Sequence, residues 1–152
     1  MKNATTILLC FFLVMLLASP VFAMENNNAQ QVVWHSQEQL DDGIIIVREI
    51  VVNSAESRSM SRAYTDKRTY TRDGTVIAEI WIDATFRYDG NTVAVVSKSI
   101  SKCETYNGWS FKQSSFTSSG GTVKLSGKLT KLLVLNANVN ITLTCDKNGN
   151  IS

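Results

Sequence analysis

Residues 75–88, with the sequence TVIAEIWIDATFRY, restrict the fold of this chain more than any other segment. Apolar side chains occupy every even-numbered position, and the odd-numbered positions carry most of the polar ones. A helix repeats about every 3.6 residues, so a period of two over the whole segment predicts one long β-strand with one buried face. The even-numbered set is Val76, Ala78, Ile80, Ile82, Ala84, Phe86 and Tyr88.

Glycine turns on either side of this strand predict its neighbours. Asp73-Gly74 precedes the strand and Asp89-Gly90 follows it. Both dipeptides favour tight turns with positive φ, which join antiparallel strands. The segment 64–103 is therefore predicted to be a three-stranded antiparallel meander.

The remaining segments also have strand patterns. The tripeptide DDG at 41–43 separates two strand-like runs, of which the second is rich in β-branched residues, and predicts a hairpin. Residues 136–145 alternate apolar and polar side chains and predict the last strand. Seven or eight strands with polar turns and no long helical pattern predict an all-β domain. The commonest solution for this length is an antiparallel β-sandwich, of which an immunoglobulin-like layout is one form, and a small β-barrel is the alternative.

Residues 1–23 have the layout of a secretory signal peptide. Lys2 precedes an apolar run at 7–17, and Pro20 and the small residue Ala23 follow it. A membrane anchor, the alternative, needs about 20 apolar residues, and this run is shorter. We therefore expect a signal peptide at 1–23, a disordered lead at 24–31 and a single β-sandwich domain at 32–152. The protein is expected outside the cell or at the cell wall.

The cysteines predict a disulfide if the chain is exported. Removal of the signal peptide takes away Cys10 and leaves Cys103 and Cys145. Disulfides form and persist in oxidising compartments, so we expect a Cys103–Cys145 bond. Two buried free thiols are the alternative.

The side chains available for catalysis are few. His35 is the single histidine, and no nucleophile-elbow motif accompanies it. Zinc usually takes at least three His, Cys or carboxylate ligands. We therefore predict no catalytic triad, no metal and no cofactor. The net charge of +2 produces no strong field, so we expect no nucleic-acid partner, no membrane partner after signal cleavage, and a monomer.

The outward face of the long strand carries the candidate ligand site. Glu79 and Asp83 share this face, with Trp81 between them, and an exposed aromatic flanked by acids is typical of carbohydrate binding. Four residues along a strand span about 13 Å, which exceeds the spacing of about 5–9.5 Å between glycosidase carboxyl groups. The pattern therefore favours binding over hydrolysis. Trp109 is a further candidate, and burial of the face under a neighbouring strand is the structural alternative.

Lysines recur at outward positions of the later strands. They predict either a basic patch that meets an anionic wall polymer or an acidic partner, or a guard against aggregation of exposed strands. The set is Lys98, Lys102, Lys112, Lys124, Lys128 and Lys131.

The second half of the chain resembles a group of known proteins. The segments ATFRYDGNTVAVVS, GWSF, GGTVKLSGKL and VNITLTCDKNGNIS are similar to small uncharacterised secreted β-rich proteins of Gram-positive bacteria, over residues 80–152. The resemblance implies a signal peptide, one β-rich domain and a cysteine-containing ending. It implies no catalytic residues.

Together these patterns predict a secreted non-enzymatic protein that binds an extracellular protein or glycan through loops at 53–63, 106–109 and 117–121. The alternatives are a carbohydrate-active hydrolase that uses Glu79 and Asp83, and a bacteriocin-like antagonist or inhibitor. The ending DKNGNIS predicts a turn that returns Ile151 to the edge of the core.

Overall fold

The structure is a computed structural model that describes residues 31–40, 43–53, 60–132 and 135–152. It contains eight antiparallel strands in two sheets, β1 to β5 in one and β6 to β8 in the other, each in chain order. The strands are β1 (Gln31–Gln39), β2 (Ile44–Val52), β3 (Ser61–Arg72), β4 (Thr75–Tyr88), β5 (Val93–Thr105), β6 (Ser110–Ser119), β7 (Thr122–Lys131) and β8 (Leu135–Thr144).

Two of the domain predictions concern residues outside these ranges. The signal peptide at 1–23 lies outside the described residues, and so does the lead at 24–31 except for its last residue. Gln31 is the first residue of β1.

The two sheets pack face to face as a β-sandwich and do not close into a barrel, which confirms the predicted fold class. One cluster of buried side chains takes members from both sheets, such as Ile80 and Phe86 of β4 and Leu125 of β7. Immunoglobulin domains divide their strands between the sheets by Greek-key connections. Here the strands follow chain order within each sheet, so the layout differs from the immunoglobulin one.

The long alternating segment forms β4 with the predicted bounds, at the centre of the meander β3–β4–β5. Its even-numbered residues from Ala78 to Phe86 are buried. Asp73 and Gly74 have φ of 49° and 73° and form the tight turn from β3. The alternation of apolar residues and the turn-forming dipeptide therefore both predicted this part of the fold correctly.

Contacts at the borders define how the sheets overlap. Val95 of β5 donates a backbone hydrogen bond to Gly120, in the turn between β6 and β7, at 3.1 Å. On the opposite side, Arg48 Nη2 of β2 donates to the carbonyl of Thr142 in β8 at 3.1 Å. The three-stranded sheet thus begins near β5 and ends near β2, and β1 extends beyond it.

A cluster of charged side chains lies between the sheets. Asp66 of β3 is fully buried, and its carboxylate accepts hydrogen bonds from Arg48 at 3.0 Å and from Arg68 at 2.9 Å. Both arginine side chains are largely buried. A buried carboxylate is tolerated only when such partners replace water, so this triad holds β2 and β3 in register.

The predicted Cys103–Cys145 disulfide is wrong, because both thiols are free. Cys145 follows β8 and lies beside Gly121, which packs against Val93 at the beginning of β5. Cys103 is the eleventh residue of that strand, which is about 33 Å further along it at about 3.3 Å per residue. A disulfide needs Cα atoms within about 7 Å. Strand patterning placed both cysteines on a sheet but did not show that they lie at opposite ends of the sandwich.

The C-terminal turn forms as predicted. The Asp146 carboxylate accepts hydrogen bonds from the backbone N–H groups of Asn148 and Asn150, at 2.8 and 2.9 Å. The turn brings Ile151 opposite Cys145 in an antiparallel bridge and packs it against the core.

Asp66→Asn is expected to lower the free energy of unfolding by about 3 kcal/mol, because it leaves two buried guanidinium groups without a counter-charge. Asp73→Asn is the matched control, since the Asp73 side chain is 92% exposed, and it should change stability by less than about 0.5 kcal/mol. Urea unfolding of both variants measures the difference. Equal effects would contradict the role of the triad.

Thiol labelling of the native protein should modify Cys103 before Cys145. Cys103 is exposed, whereas burial leaves Cys145 at 1% exposure and raises the pKa of its thiol to about 11. Because the thiolate is the reacting species, Cys145 should react only after unfolding. Peptide mapping without reductant checks the result, and a linked Cys103–Cys145 peptide would overturn it.

Candidate functional site

Trp81 lies at the centre of the outer face of the five-stranded sheet, which we call the Trp81 face and define by Glu79, Trp81 and Asp83. The strands on either side place one lysine opposite the indole, Lys67 from β3 and Lys102 from β5. Their Nζ atoms lie 4.9 and 4.7 Å from the ring centroid, within the range of cation–π attraction. The indole is partly exposed, and its Nε1 is buried with no hydrogen-bond partner among the described residues.

Glu79 is engaged by two donors on the same face. Lys102 Nζ and the Tyr106 hydroxyl each donate to its Oε2 at 2.7 Å. These hydrogen bonds lower the pKa of Glu79 below its ordinary value, and the Glu104 and Glu79 carboxylates raise the pKa of Tyr106. A glycosidase acid needs the opposite shift, because it must hold a proton near neutral pH. Glu79 is therefore built as an ion-pair partner.

Asp83 is satisfied in a similar way. Its Oδ1 accepts hydrogen bonds from Thr65 Oγ1 at 2.6 Å and from Ser101 Oγ at 3.0 Å, and Asn53 donates to Thr65 at 2.6 Å. These groups and Trp81 line an open cleft of about 250 Å³. The cleft is polar, but its side chains hydrogen-bond mainly to one another.

Trp109 does not join this face. It is 6% exposed and belongs to the core, and its backbone N–H donates to Tyr106 across the Asn107-Gly108 turn at 3.0 Å. The predicted site residues are thus divided, with Glu79, Trp81 and Asp83 on one surface and Trp109 inside the protein.

The predicted recognition loops are short where they are described. Residues 106–109 form a tight turn, and 117–119 belong to β6. Most of the loop at 53–63 lies outside the described residues, and 61–63 belong to β3.

A second surface, the outer face of the three-stranded sheet, carries three exposed lysines, and we call it the lysine face. Lys112 of β6 and Lys128 of β7 are direct cross-strand partners, and Lys124 lies on the same side of β7. Exposed or partly exposed hydroxyl and amide side chains occupy the positions between and beside them. This set is Thr117, Ser126, Thr130, Asn136, Asn138, Asn140 and Thr142.

The positive charge of the lysine face has no acidic counterpart in its own sheet. No Asp or Glu occurs between Glu104 and Asp146 in the sequence, a stretch that contains all of β6, β7 and β8. Like charges directly opposite each other on neighbouring strands are destabilising. The Lys112–Lys128 pair therefore has an energetic cost that no carboxylate in this sheet offsets.

Of the other lysines of the predicted patch, Lys98 and Lys102 lie on β5, and Lys131 is the last residue of β7. Lys98 Nζ donates to the Phe116 carbonyl at 3.1 Å, and Lys102 is engaged by Glu79. Sequence reasoning identified the lysines but did not separate these from Lys112, because a register shift between Gln113 and Ser115 decides which β6 residues face outward. The absence of acids from 105–145 is the signal that would have singled out this sheet.

No cluster of three or more His, Cys, Asp or Glu side chains occurs in 31–40, 43–53, 60–132 and 135–152. His35 lies exposed on β1 with Nδ1 3.5 Å from Glu49. No helix in the described part of the chain is long and apolar enough to cross a membrane.

No family model, curated protein or solved structure matches this chain. The resemblance to secreted proteins of Gram-positive bacteria therefore stays an expectation.

Acid should remove the stability that Glu79 contributes. Because its folded pKa is below the ordinary value of 4.5, the contribution is complete above that pH and is lost as the pH falls through the folded pKa. The difference in free energy of unfolding between wild type and Glu79→Gln should therefore shrink from pH 7 to pH 3. Tyr106→Phe should show a smaller pH dependence of the same sign. A difference that does not vary with pH would contradict this account.

Proposed function

We propose that this protein is an exported, non-enzymatic binding module that holds an anionic extracellular polymer on the lysine face. The observation that carries the proposal is the Lys112–Lys128 pair, two lysines placed opposite each other in a sheet without acids. Such a pair is costly in the free protein, and a bound anion removes the cost. The layout of residues 1–23 supports export.

The spacing of the lysines suits a chain with repeated charges. Lys112 and Lys128 are about 5 Å apart at their Cβ atoms, and Lys124 is about 13 Å from Lys128 along β7. Hydroxyl and amide groups between them donate hydrogen bonds to phosphate, sulfate or carboxylate oxygens. The lysines stand on the open face of a three-stranded sheet, and an extended surface of this kind favours a linear polymer over a small molecule.

The Trp81 face supports catalysis less well. Glu79 and Asp83 are each held by two side-chain hydrogen bonds, and those on Glu79 lower the pKa of its carboxyl group. Lysines lie against the indole, where a sugar ring would stack. The hydrolase and antagonist hypotheses lack a comparable observation.

The triple variant Lys112→Gln, Lys124→Gln, Lys128→Gln should bind polyanions at least about tenfold more weakly at low salt, because these lysines contact the anion directly. Inorganic polyphosphate, dextran sulfate and poly-glutamate are the probes, and their ranking distinguishes phosphate, sulfate and carboxylate ligands. Binding to wild type should weaken steeply with salt, and the triple variant should have a smaller salt dependence.

Lys147→Gln is the matched control, since Lys147 is exposed on the C-terminal turn, away from the lysine face. Its affinity should equal that of wild type. The thermal unfolding temperature of the triple variant should be equal to that of wild type or slightly higher, because the like-charge pair is gone. Equal polyanion affinity in wild type and triple variant, or no binding of any probe by wild type, would overturn the proposal.

A further inference from the structure

The outer edge of β8 is open along most of its length, and hydrogen bonds at its end show which residues face outward. The N–H and C=O groups of Thr144 bond to Ser152, at 3.0 and 2.9 Å, on the side away from β7. Cys145 donates toward β7, to Gly121. Because backbone groups alternate between the two sides of a strand, Asn136, Asn138, Asn140 and Thr142 also face away from β7.

One of these outward backbone groups accepts a side-chain hydrogen bond within the described part of the protein. Arg48 Nη2 donates to the carbonyl of Thr142. In the described residues, the pairing partner of β8 on the other side is β7, and no strand lies along its open side between Asn136 and Asn140. Ser152 thus occupies the first position of a fourth strand, and among the described residues no backbone pairs with the outward N–H and C=O groups from Asn136 to Asn140.

The open edge of β8 also lacks the features that normally protect an edge strand. Of the four edge strands, β1, β5 and β6 each contain or adjoin a register shift and carry at least one charged side chain. β8 pairs with β7 over ten residues without a shift, and its sequence LNANVNITLT has no charge and no proline. Long, regular and uncharged edges are the ones that accept another strand.

β1 lies beneath the position that a fourth strand would take. The tail residues Gly149, Asn150 and Ile151, which begin that position, share a cleft of about 240 Å³ with Trp34 of β1. Trp34 is 44% exposed, and every residue of β1 is exposed or partly exposed. The five-stranded sheet thus extends beyond the edge of the three-stranded one, and β1 is the strand left uncovered.

We propose that an extended polypeptide segment of a partner adds to the open edge of β8 over Asn136–Thr142, as a fourth strand above β1. Free backbone donors and acceptors at alternate residues match another β-strand, and Ser152 shows the antiparallel pairing in place. The inward side chains of this segment face β1 from Trp34 onward, because Arg48, the cross-strand partner of Ser36, is the residue that reaches Thr142.

The extension of β1 past the edge of β8 restricts which partner can bind there. A second copy that paired β8 with β8 would bring its own five-stranded sheet to the place where β1 already extends, so the two sandwiches would collide. A single segment has no such second layer. Its outward side chains lie beside Asn138 and Asn140, next to the acid-free lysine face, so acidic outward residues are favoured and basic ones are disfavoured.

Three synthetic ten-residue peptides test the inference with the full chain. Valine alternates with glutamate in the first, with threonine in the second and with lysine in the third. The glutamate peptide should bind most tightly and the lysine peptide most weakly. Asn138→Pro, Asn140→Pro should weaken binding of the glutamate peptide at least tenfold, because proline removes two outward N–H donors and no donor to β7.

Asn138→Thr, Asn140→Thr is the matched control, since it changes the same side chains but keeps both N–H groups, and its affinity should stay within twofold of wild type. Amide hydrogen exchange on wild type gives a second readout that does not depend on folding of the proline variant. The Asn138 and Asn140 amides should become protected when the glutamate peptide binds.

Absence of saturable binding of all three peptides, binding without protection of these amides, or equal binding by a folded proline variant would overturn the inference. The triple lysine variant separates it from polyanion binding, because the threonine peptide should still bind when Lys112, Lys124 and Lys128 are glutamine.

Discussion

The unequal width of the two sheets is the constraint on which the other features of this protein depend. A five-stranded layer packed on a three-stranded one buries the centre of the larger sheet and leaves its far edge, β1, exposed. Where the three-stranded sheet ends, hydrogen-bonded charged side chains replace apolar packing. Asp66 with its two arginines lies at this border, and Arg48 reaches the backbone of β8.

Charge is divided between the two layers. The five-stranded sheet contains both signs and pairs them, as Lys102 and Glu79 do on the Trp81 face. The three-stranded sheet contains lysines alone among charged residues. Ion pairs on the first surface stabilise the free protein, whereas the charges on the second surface have no counter-charge in their own sheet, which is the basis of our binding proposal. This contrast makes the Trp81 face a structural element and the lysine face the stronger candidate for binding.

Local patterns predicted the parts of the fold that depend on local chemistry. The alternation in 75–88 predicted both ends of β4 correctly. Asp73-Gly74 predicted the turn before it, because aspartate and glycine adopt positive φ more readily than other residues. Contacts between residues far apart in the chain could not be predicted from these local patterns. The disulfide prediction failed because Cys103 and Cys145 belong to different sheets and lie at opposite ends of the sandwich, which no local pattern shows. The sequence around Trp109 also did not show that the core would enclose it.

The sequence by itself determined an all-β fold, its meander connections and the absence of acids from its last three strands, because period, turn residues and composition are local properties. The tertiary structure decided which lysines oppose each other, which carboxylates are already paired, and which edge remains open. Those outcomes depend on register shifts and on how far one sheet extends past the other. Neither can be predicted from any single segment of the chain, because both result from contacts between segments.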